Sequence, residues 1–313
     1  ARLTTEPAGD VVLQASSGDP GEATVGAPLT FTSSNWSTSQ YVTVTGVDDD
    51  VDDGDQETTV TISVVDASSD DTYDPLSNQT VTVTTTDDDT VGYTLSGTTV
   101  TVAETGTTAT FTVVLDTQPS TNVVLTVTSA DTGEATVSPS TLTFTNGNWD
   151  STQTVTVTGI DDVILDGPQD TTVTIAVDDG SSDNTYDDVA DQTVTVTTSD
   201  DDSPGISIAQ TEGSTVVGEN GSIDTFDAVL TTQPLSDVVV SISSADTGEA
   251  TVSPSTLTFT NGNWDTTRTV IVTGVDDTID DGNQDTTVTI AVVDASSDDA
   301  YDPLDDQTVT ITT

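Results

Sequence analysis

Three stretches of the sequence gather carboxylates at a recurring spacing: GVDDDVDDGDQETT at 46–59, GIDDVILDGPQDTT at 159–172 and GVDDTIDDGNQDTT at 274–287. They share the pattern G-[VI]-D-D-x-[VI]-x-D-G-x-Q-[DE]-T-T. Their acids are Asp48, Asp49 and Asp53, then Asp161, Asp162 and Asp166, then Asp276, Asp277 and Asp281. Carboxylate and carbonyl oxygens are hard donors, and calcium tolerates irregular cages of six to eight of them better than magnesium does. The spacing is not that of an EF-hand, since D-x-D-x-D-G fails in every copy. Within each loop a lone Val51, Ile164 or Ile279 is expected to anchor the loop to the core and leave its carbonyl free as a ligand. Gly54, Gly167 and Gly282 would let the backbone turn tightly around an ion.

Other acids recur at fixed places. The triplets Asp87, Asp88, Asp89 and Asp200, Asp201, Asp202 close the first two of three similar segments. Glu104 precedes the turn at Thr105-Gly106, with Glu219 as its counterpart, and Glu134 lies in ADTGEATV.

The chain has 313 residues, 55 acidic and 2 basic, with a formal charge of −53. Repulsion at that density opposes compaction, so folding calls for bound cations, high salt or both. Nucleic acid and anionic membranes are excluded as direct partners, because binding them relies on basic residues. Cysteine is absent, so no disulfide or thiolate metal site exists. Lysine–asparagine isopeptide staples are excluded for want of lysine. No signal peptide or long apolar span is evident.

Self-similarity sets the organisation. ADTGEATVSPSTLTFTNGNWD occurs at 130–150 and 245–265, with a looser version, GDPGEATVGAPLTFTSSNWS, at 18–37. Three units are expected, at 1–89, 90–202 and 203–313. Within a unit valine or isoleucine alternates with threonine, as in QTVTVTG (153–159), TTVTIAV (171–177) and QTVTVTT (192–198). That period of two marks half-buried antiparallel strands. The fold class is therefore all-β: three tandem seven-stranded antiparallel β-sandwiches of Ig-like type. Strands are expected near 99–104, 109–115, 122–129, 141–145, 153–158, 171–177 and 192–198. Trp36, Trp149 and Trp264, one per unit, read as core residues.

Strand reversal then places the chemistry. The first-to-second, third-to-fourth and fifth-to-sixth connections share one pole with the end of the seventh strand. Glu104, Glu134, the 161–166 loop and the 200–202 triplet should meet there. A halophile's acidic surface is the alternative, but it would put acids on exposed strand faces, where this sequence has threonine. A second acidic loop, DASSDDTYDPL at 66–76 with counterparts at 178–189 and 294–304, joins the last two strands at the opposite pole. It reads as a solvated turn, with a lesser ion site as the alternative.

Each unit resembles a Calx-beta repeat, a sandwich found in sodium–calcium exchangers, integrin beta-4 and large bacterial surface proteins. The likeness rests on VAETG (102–106), TLTFTNGNW (141–149), QTVTVTGIDDVILDG (153–167) and the terminal DDD (200–202). It implies calcium as cofactor, with ligand roles for Glu104, Asp161, Asp162, the Ile164 carbonyl, Asp166 and Asp200 to Asp202. Gln56 and Gln169 stand where the family often has an acid. The family's Asp-Tyr is absent, and Glu134 is the residue available to replace that aspartate.

With no histidine, cysteine or lysine and with every acidic cluster repeated, catalysis is not expected. The expected role is extracellular and structural: a calcium-stiffened array forming a filament or adhesin stalk at a microbial surface. The alternatives are a calcium-dependent carbohydrate-binding module and a halophile surface-layer component. The sequons Asn35-Trp36-Ser37, Asn78-Gln79-Thr80 and Asn220-Gly221-Ser222 would permit glycosylation. The first unit begins inside its second strand, so it lacks a first strand and a counterpart of Glu104. The third stops before its triplet. Neighbouring copies of the chain, head-to-tail or strand-donating, are the expected partners.

Overall fold

The computed structural model describes residues 1–278 and 282–313; Ile279, Asp280 and Asp281 lie outside the described residues. The expectations that name Ile279 and Asp281 fall there.

Alternation of valine with threonine gives each strand one apolar and one polar edge, and burial follows it. In Gln153–Gly159 the residues Val155 and Val157 are fully buried, while the threonines between them face outward. Around this strand two sheets, antiparallel except at one edge, pack together. One runs Thr141–Phe144, Val123–Ser129, Gln169–Val177, Gln192–Ser199, Thr99–Ala103; the other runs Ala135–Ser138, Gln153–Gly159, Thr108–Leu115, Tyr93–Leu95. Phe111, Leu125, Phe144, Val155, Ile175 and Tyr186, drawn from both sheets and a neighbouring loop, share one core.

The same arrangement recurs further along the chain. A five-stranded sheet (Thr215–Val216, Gln307–Thr312, Asp285–Val292, Val238–Ser244, Thr256–Phe259) faces a four-stranded one (Ile206–Gln210, Ile223–Leu230, Arg268–Gly274, Ala250–Ser253). A second core centred on Phe226, Val240, Phe259 and Ile290 fills the gap. Near the start of the chain, Leu29–Phe31, Val11–Ser17, Gln56–Val64 and Gln79–Thr85 form a four-stranded sheet, and Ala23–Val25 pairs with Val44–Gly46. The core there is smaller, built on Leu3, Val11, Leu29, Phe31 and Tyr73. Trp36, Trp149 and Trp264 pack against these cores, each partly buried.

Two features depart from the expected seven antiparallel strands. The middle segment carries two further short strands, Tyr93–Leu95 and Ala135–Ser138. ATVSPSTLTF reads as one alternating run, yet the chain changes sheets within it. Ala135–Ser138 pairs with Gln153–Gly159, and Thr141–Phe144 pairs with Val123–Ser129. Three or four residues are too short for a period of two to show by itself. The second departure is that Thr99–Ala103 pairs in parallel with Gln192–Ser199. The tight turn at Gly106 (φ +82°) sends the next strand into the other sheet, so Thr99–Ala103 takes the free edge of its own sheet. Thr215–Val216 lies parallel to Gln307–Thr312 in the same manner.

Candidate metal centre

Gly159 sets the position of the most buried acid. A Cβ there would lie 2.2 Å from the Ala103 carbonyl oxygen, so only glycine lets the chain at 102–104 cross this closely. That crossing carries Glu104 inward to 1% exposure, with its backbone N–H donating to the Ser199 carbonyl at 3.1 Å.

Asp200 and Asp202 arrive at the same point from the end of Gln192–Ser199. One carboxylate oxygen each from Glu104, Asp200 and Asp202 lie within 4.8 Å of one another. Asp200 is held by backbone donors: the Gly167 N–H at 2.7 Å and the Asp202 N–H, also at 2.7 Å. Gly167 has φ +72°, a conformation that suits glycine, and it lets the loop turn its amide onto Asp200. In the 160–167 loop Asp162 accepts from the Ile164 N–H at 2.6 Å, while the Gln169 amide donates to the Asp166 carbonyl. Glu134 is placed by its carbonyl, which accepts from the Ile160 N–H at 2.9 Å.

At this proximity the acids perturb one another. Burial first, then the charges of Asp200, Asp162 and Glu134, push the Glu104 carboxyl up to about 7. Burial also raises Glu134, with Asp166 and Asp162 adding to it, and raises Asp202, with Asp200 and Asp162 adding. Asp166 is raised by burial, with Asp162 and Asp200 adding to it. One oxygen each of Glu104, Glu134 and Asp166 is buried with no hydrogen-bond partner. Buried anionic oxygens without donors are costly, and a divalent cation is the kind of group that would satisfy them. Asp161 and Asp201 sit at the exposed rim, and the Ile164 residue is half-buried.

The first segment repeats this geometry in a more open form. Glu22, Asp48, Asp49, Asp53 and Asp87, Asp88, Asp89 line a cavity of about 320 Å³. The Gly54 N–H donates to Asp87 at 2.6 Å and the Asp89 N–H donates to it at 2.9 Å, and these bonds lower the Asp87 carboxyl. Burial and neighbouring acids raise Glu22 and Asp89. In the third segment Asp276 and Asp277 are exposed and Glu219 is half-buried.

Glu22 and Glu249 belong with Glu134, although the reading of the sequence singled out only Glu134. Their carbonyls accept from Val47 and Val275 at 2.9 and 2.8 Å, the bond that Ile160 makes to Glu134. The signal was available, because GEATV occurs in all three segments.

The loops also reach the following segment. The Gln233 N–H donates to the Val163 carbonyl at 2.7 Å, the Leu165 N–H donates to the Gln233 carbonyl at 3.1 Å, and Leu165 packs against the third core. The Gln118 N–H likewise donates to the Asp50 carbonyl at 2.7 Å, and the Val91 N–H to the Asp52 carboxylate at 2.9 Å. Leu165 thus gives the 160–167 loop an apolar contact with the next segment.

At the opposite pole the second acidic loop is mostly exposed, as a solvated turn is, but one of its acids is buried and bonded. Asp183 is 5% exposed and accepts from Ser120 Oγ at 2.7 Å and the Thr121 N–H at 2.8 Å. Burial alone would raise its carboxyl, but these donors and Thr185 outweigh that and hold it at about 2. Asp70 does the same for Ala8 and Gly9, and Asp298 for Ser236.

No family model matches the sequence, and no curated protein matches it. Among solved structures the chain is similar to CBD12 from CALX1.2, at 16% identity over 64% of this chain and 79% of that one, TM-score 0.28. It is similar to the calcium binding domain CBD12 of CALX1.1 at 16% identity, over 64% of this chain and 80% of that one, TM-score 0.29. Domains 4–9 of the surface layer protein SbsC cover 98% of this chain, which spans 39% of theirs, at 17% identity and TM-score 0.30. These are coarse likenesses of all-β architecture at low identity.

Proposed function

We propose that the chain is an extracellular structural repeat protein, an array of units at 1–89, 90–202 and 203–313 stiffened by calcium into a filament or stalk. The observation that carries this reading is Glu104, 1% exposed, with one oxygen unpartnered and its carboxylate within 4.8 Å of those of Asp200 and Asp202. A carboxylate in that position is repelled by its surroundings unless a cation joins it. Glu104, Glu134, Asp162, Asp166, Asp200 and Asp202 would hold the ion, with Asp161, Asp201 and the Ile164 carbonyl at the rim. The ion supplies charge neutralisation, and the residues supply placement.

Calcium held at about 100 times its dissociation constant would add about 2.7 kcal/mol to a unit's stability. Extracellular modules bind with constants of roughly 10⁻⁴–10⁻³ M, so about 1 mM calcium would supply about 0.4–1.4 kcal/mol of this and higher concentrations the rest. The role is mechanical rather than catalytic. Self-association along the array fits the open edge of the first sheet: Val81 is 52% exposed, whereas its counterpart Val194 is fully buried in a strand whose edge is paired by Thr99–Ala103. A strand from a neighbouring copy or from further sequence would cover it.

Calorimetric titration of the chelator-treated chain with calcium tests the reading. Binding with a rise in melting temperature is expected. No heat and no shift at millimolar calcium would overturn it.

A further inference from the structure

The loops DASSDDTYDPL at 66–76 and DASSDDAYDPL at 294–304 hold a feature outside the candidate metal centre. Asp74 and Asp302 each carry a buried carboxylate oxygen with no hydrogen-bond partner, and each is followed by proline, Pro75 and Pro303. Both lie in turns fixed at their ends. The Leu76 N–H donates to the Tyr73 carbonyl at 3.0 Å, and the Leu304 N–H to the Tyr301 carbonyl at 3.1 Å. The tyrosines are themselves pinned, Tyr73 Oη to the Thr5 carbonyl and Tyr301 Oη to the Thr232 carbonyl, each at 2.7 Å. The middle segment makes the same turn, with the Val189 N–H donating to the Tyr186 carbonyl at 3.0 Å, but its sequence is Asp187-Asp188.

We propose that the Asp74–Pro75 and Asp302–Pro303 bonds are self-cleavage sites, at which the turn holds an unpartnered aspartic acid beside the tertiary amide of proline. In the step, an oxygen of the Asp74 γ-carboxyl attacks the Asp74 carbonyl carbon and closes a five-membered cyclic anhydride. The carboxyl proton passes to the prolyl nitrogen, the C–N bond breaks, and Pro75 leaves as a free secondary amine. Water then opens the anhydride and restores both carboxyl groups, so the net reaction is hydrolysis of one peptide bond. Proline is the favoured leaving group because the nitrogen of its tertiary amide carries two alkyl substituents besides the acyl group and accepts the proton more readily than a secondary amide nitrogen.

The acid must be neutral to donate its proton, and the surroundings favour that form. Asp74 is raised by burial, then by the charges of Asp66, Asp71 and Asp70. Asp302 is raised by burial, then by Asp294, Asp299 and Asp298. Cleavage at Asp74 would not at once separate the halves. Gln79–Thr85 stays paired to Gln56–Val64 along its whole length, so the nicked sheet is held without a covalent link at that point.

The test holds the full chain folded at about pH 5, just above the ordinary aspartate range, and follows the fragments by mass spectrometry. A parallel sample is unfolded in urea at the same pH. Chains ending at Asp74 and Asp302 are expected to accumulate severalfold faster in the folded sample, with none ending at Asp187. The Asp74→Glu, Asp302→Glu double variant, whose longer arm closes a six-membered ring more slowly, should lose most of the cleavage; Pro75→Ala with Pro303→Ala should lose it as well. An intact folded chain, equal rates in urea, or undiminished cleavage in the glutamate variant would overturn the proposal.

Discussion

Val163 and Gln233 lie 70 residues apart in the sequence and are joined through their backbones at 2.7 Å, and Asp50 and Gln118 are joined in the same way at the same distance. Both bonds link an acidic loop to the body of the following segment. A metal-loaded loop would therefore also be a fixed joint, because the residues between Asp162 and Asp166 are the ones that touch the neighbour. Leu165→Ala should loosen the second joint by about 1–2 kcal/mol of lost apolar burial. Small-angle scattering should then show a broader distribution of maximum dimension, while the calcium isotherm of the chain stays unchanged.

Glu104→Gln separates repulsion from coordination. Without metal, glutamine removes a buried charge facing Asp200, Asp162 and Glu134. The variant is expected to melt about 2–4 °C higher than the parent in chelator. In calcium the order should reverse, because the amide is a weaker ligand and carries no charge for the ion. Thermal unfolding in both buffers checks this.

Much of this was legible in the residues, and what was not has physical causes. Alternation of valine and threonine exposed the strands at 153–159 and 192–198, and strand reversal brought Glu104, Glu134 and Asp200 to one pole. Period counting could not see Tyr93–Leu95 or Ala135–Ser138, which are too short to establish a period. The parallel edge strand was hidden because pattern reports burial and not partner. Leu165 looked like a variable position between Ile164 and Asp166, since Asp52 fills the same place in the first segment and reaches the neighbour through its carboxylate instead. The role of Asp183 was missed because a run of serines and aspartates reads as solvated until its donors are seen.

The Asp183 clamp carries a pH signature. A carboxyl held at about 2, below its ordinary value near 3.9, contributes stability above that ordinary value and loses it as pH falls through about 2. Asp183→Ala is expected to cost about 2–3 kcal/mol at neutral pH, since Ser120 and the Thr121 N–H also lose their acceptor. The gap between variant and parent should narrow steadily below about pH 4. Denaturant melts across that range, with a gap that stays constant, would rule out the carboxylate as the cause.

The close crossing at Gly159 lies beside the candidate metal centre. Gly159→Ala would drive a methyl group to 2.2 Å from the Ala103 carbonyl oxygen and 2.8 Å from its carbon, both backbone atoms that no rotamer change relieves. Either Gln153–Gly159 or the chain at 102–104 must shift, and a shift there moves Glu104 away from Asp200. The substitution should cost about 2–4 kcal/mol and weaken calcium binding in the middle segment. Gly46 holds the equivalent place in the first segment, where a Cβ would meet only a methyl of Thr85 at 3.4 Å. Gly46→Ala should therefore change stability by less than about 1 kcal/mol. Equal losses at the two glycines would mean that strand propensity, and not the crossing over Glu104, governs the site.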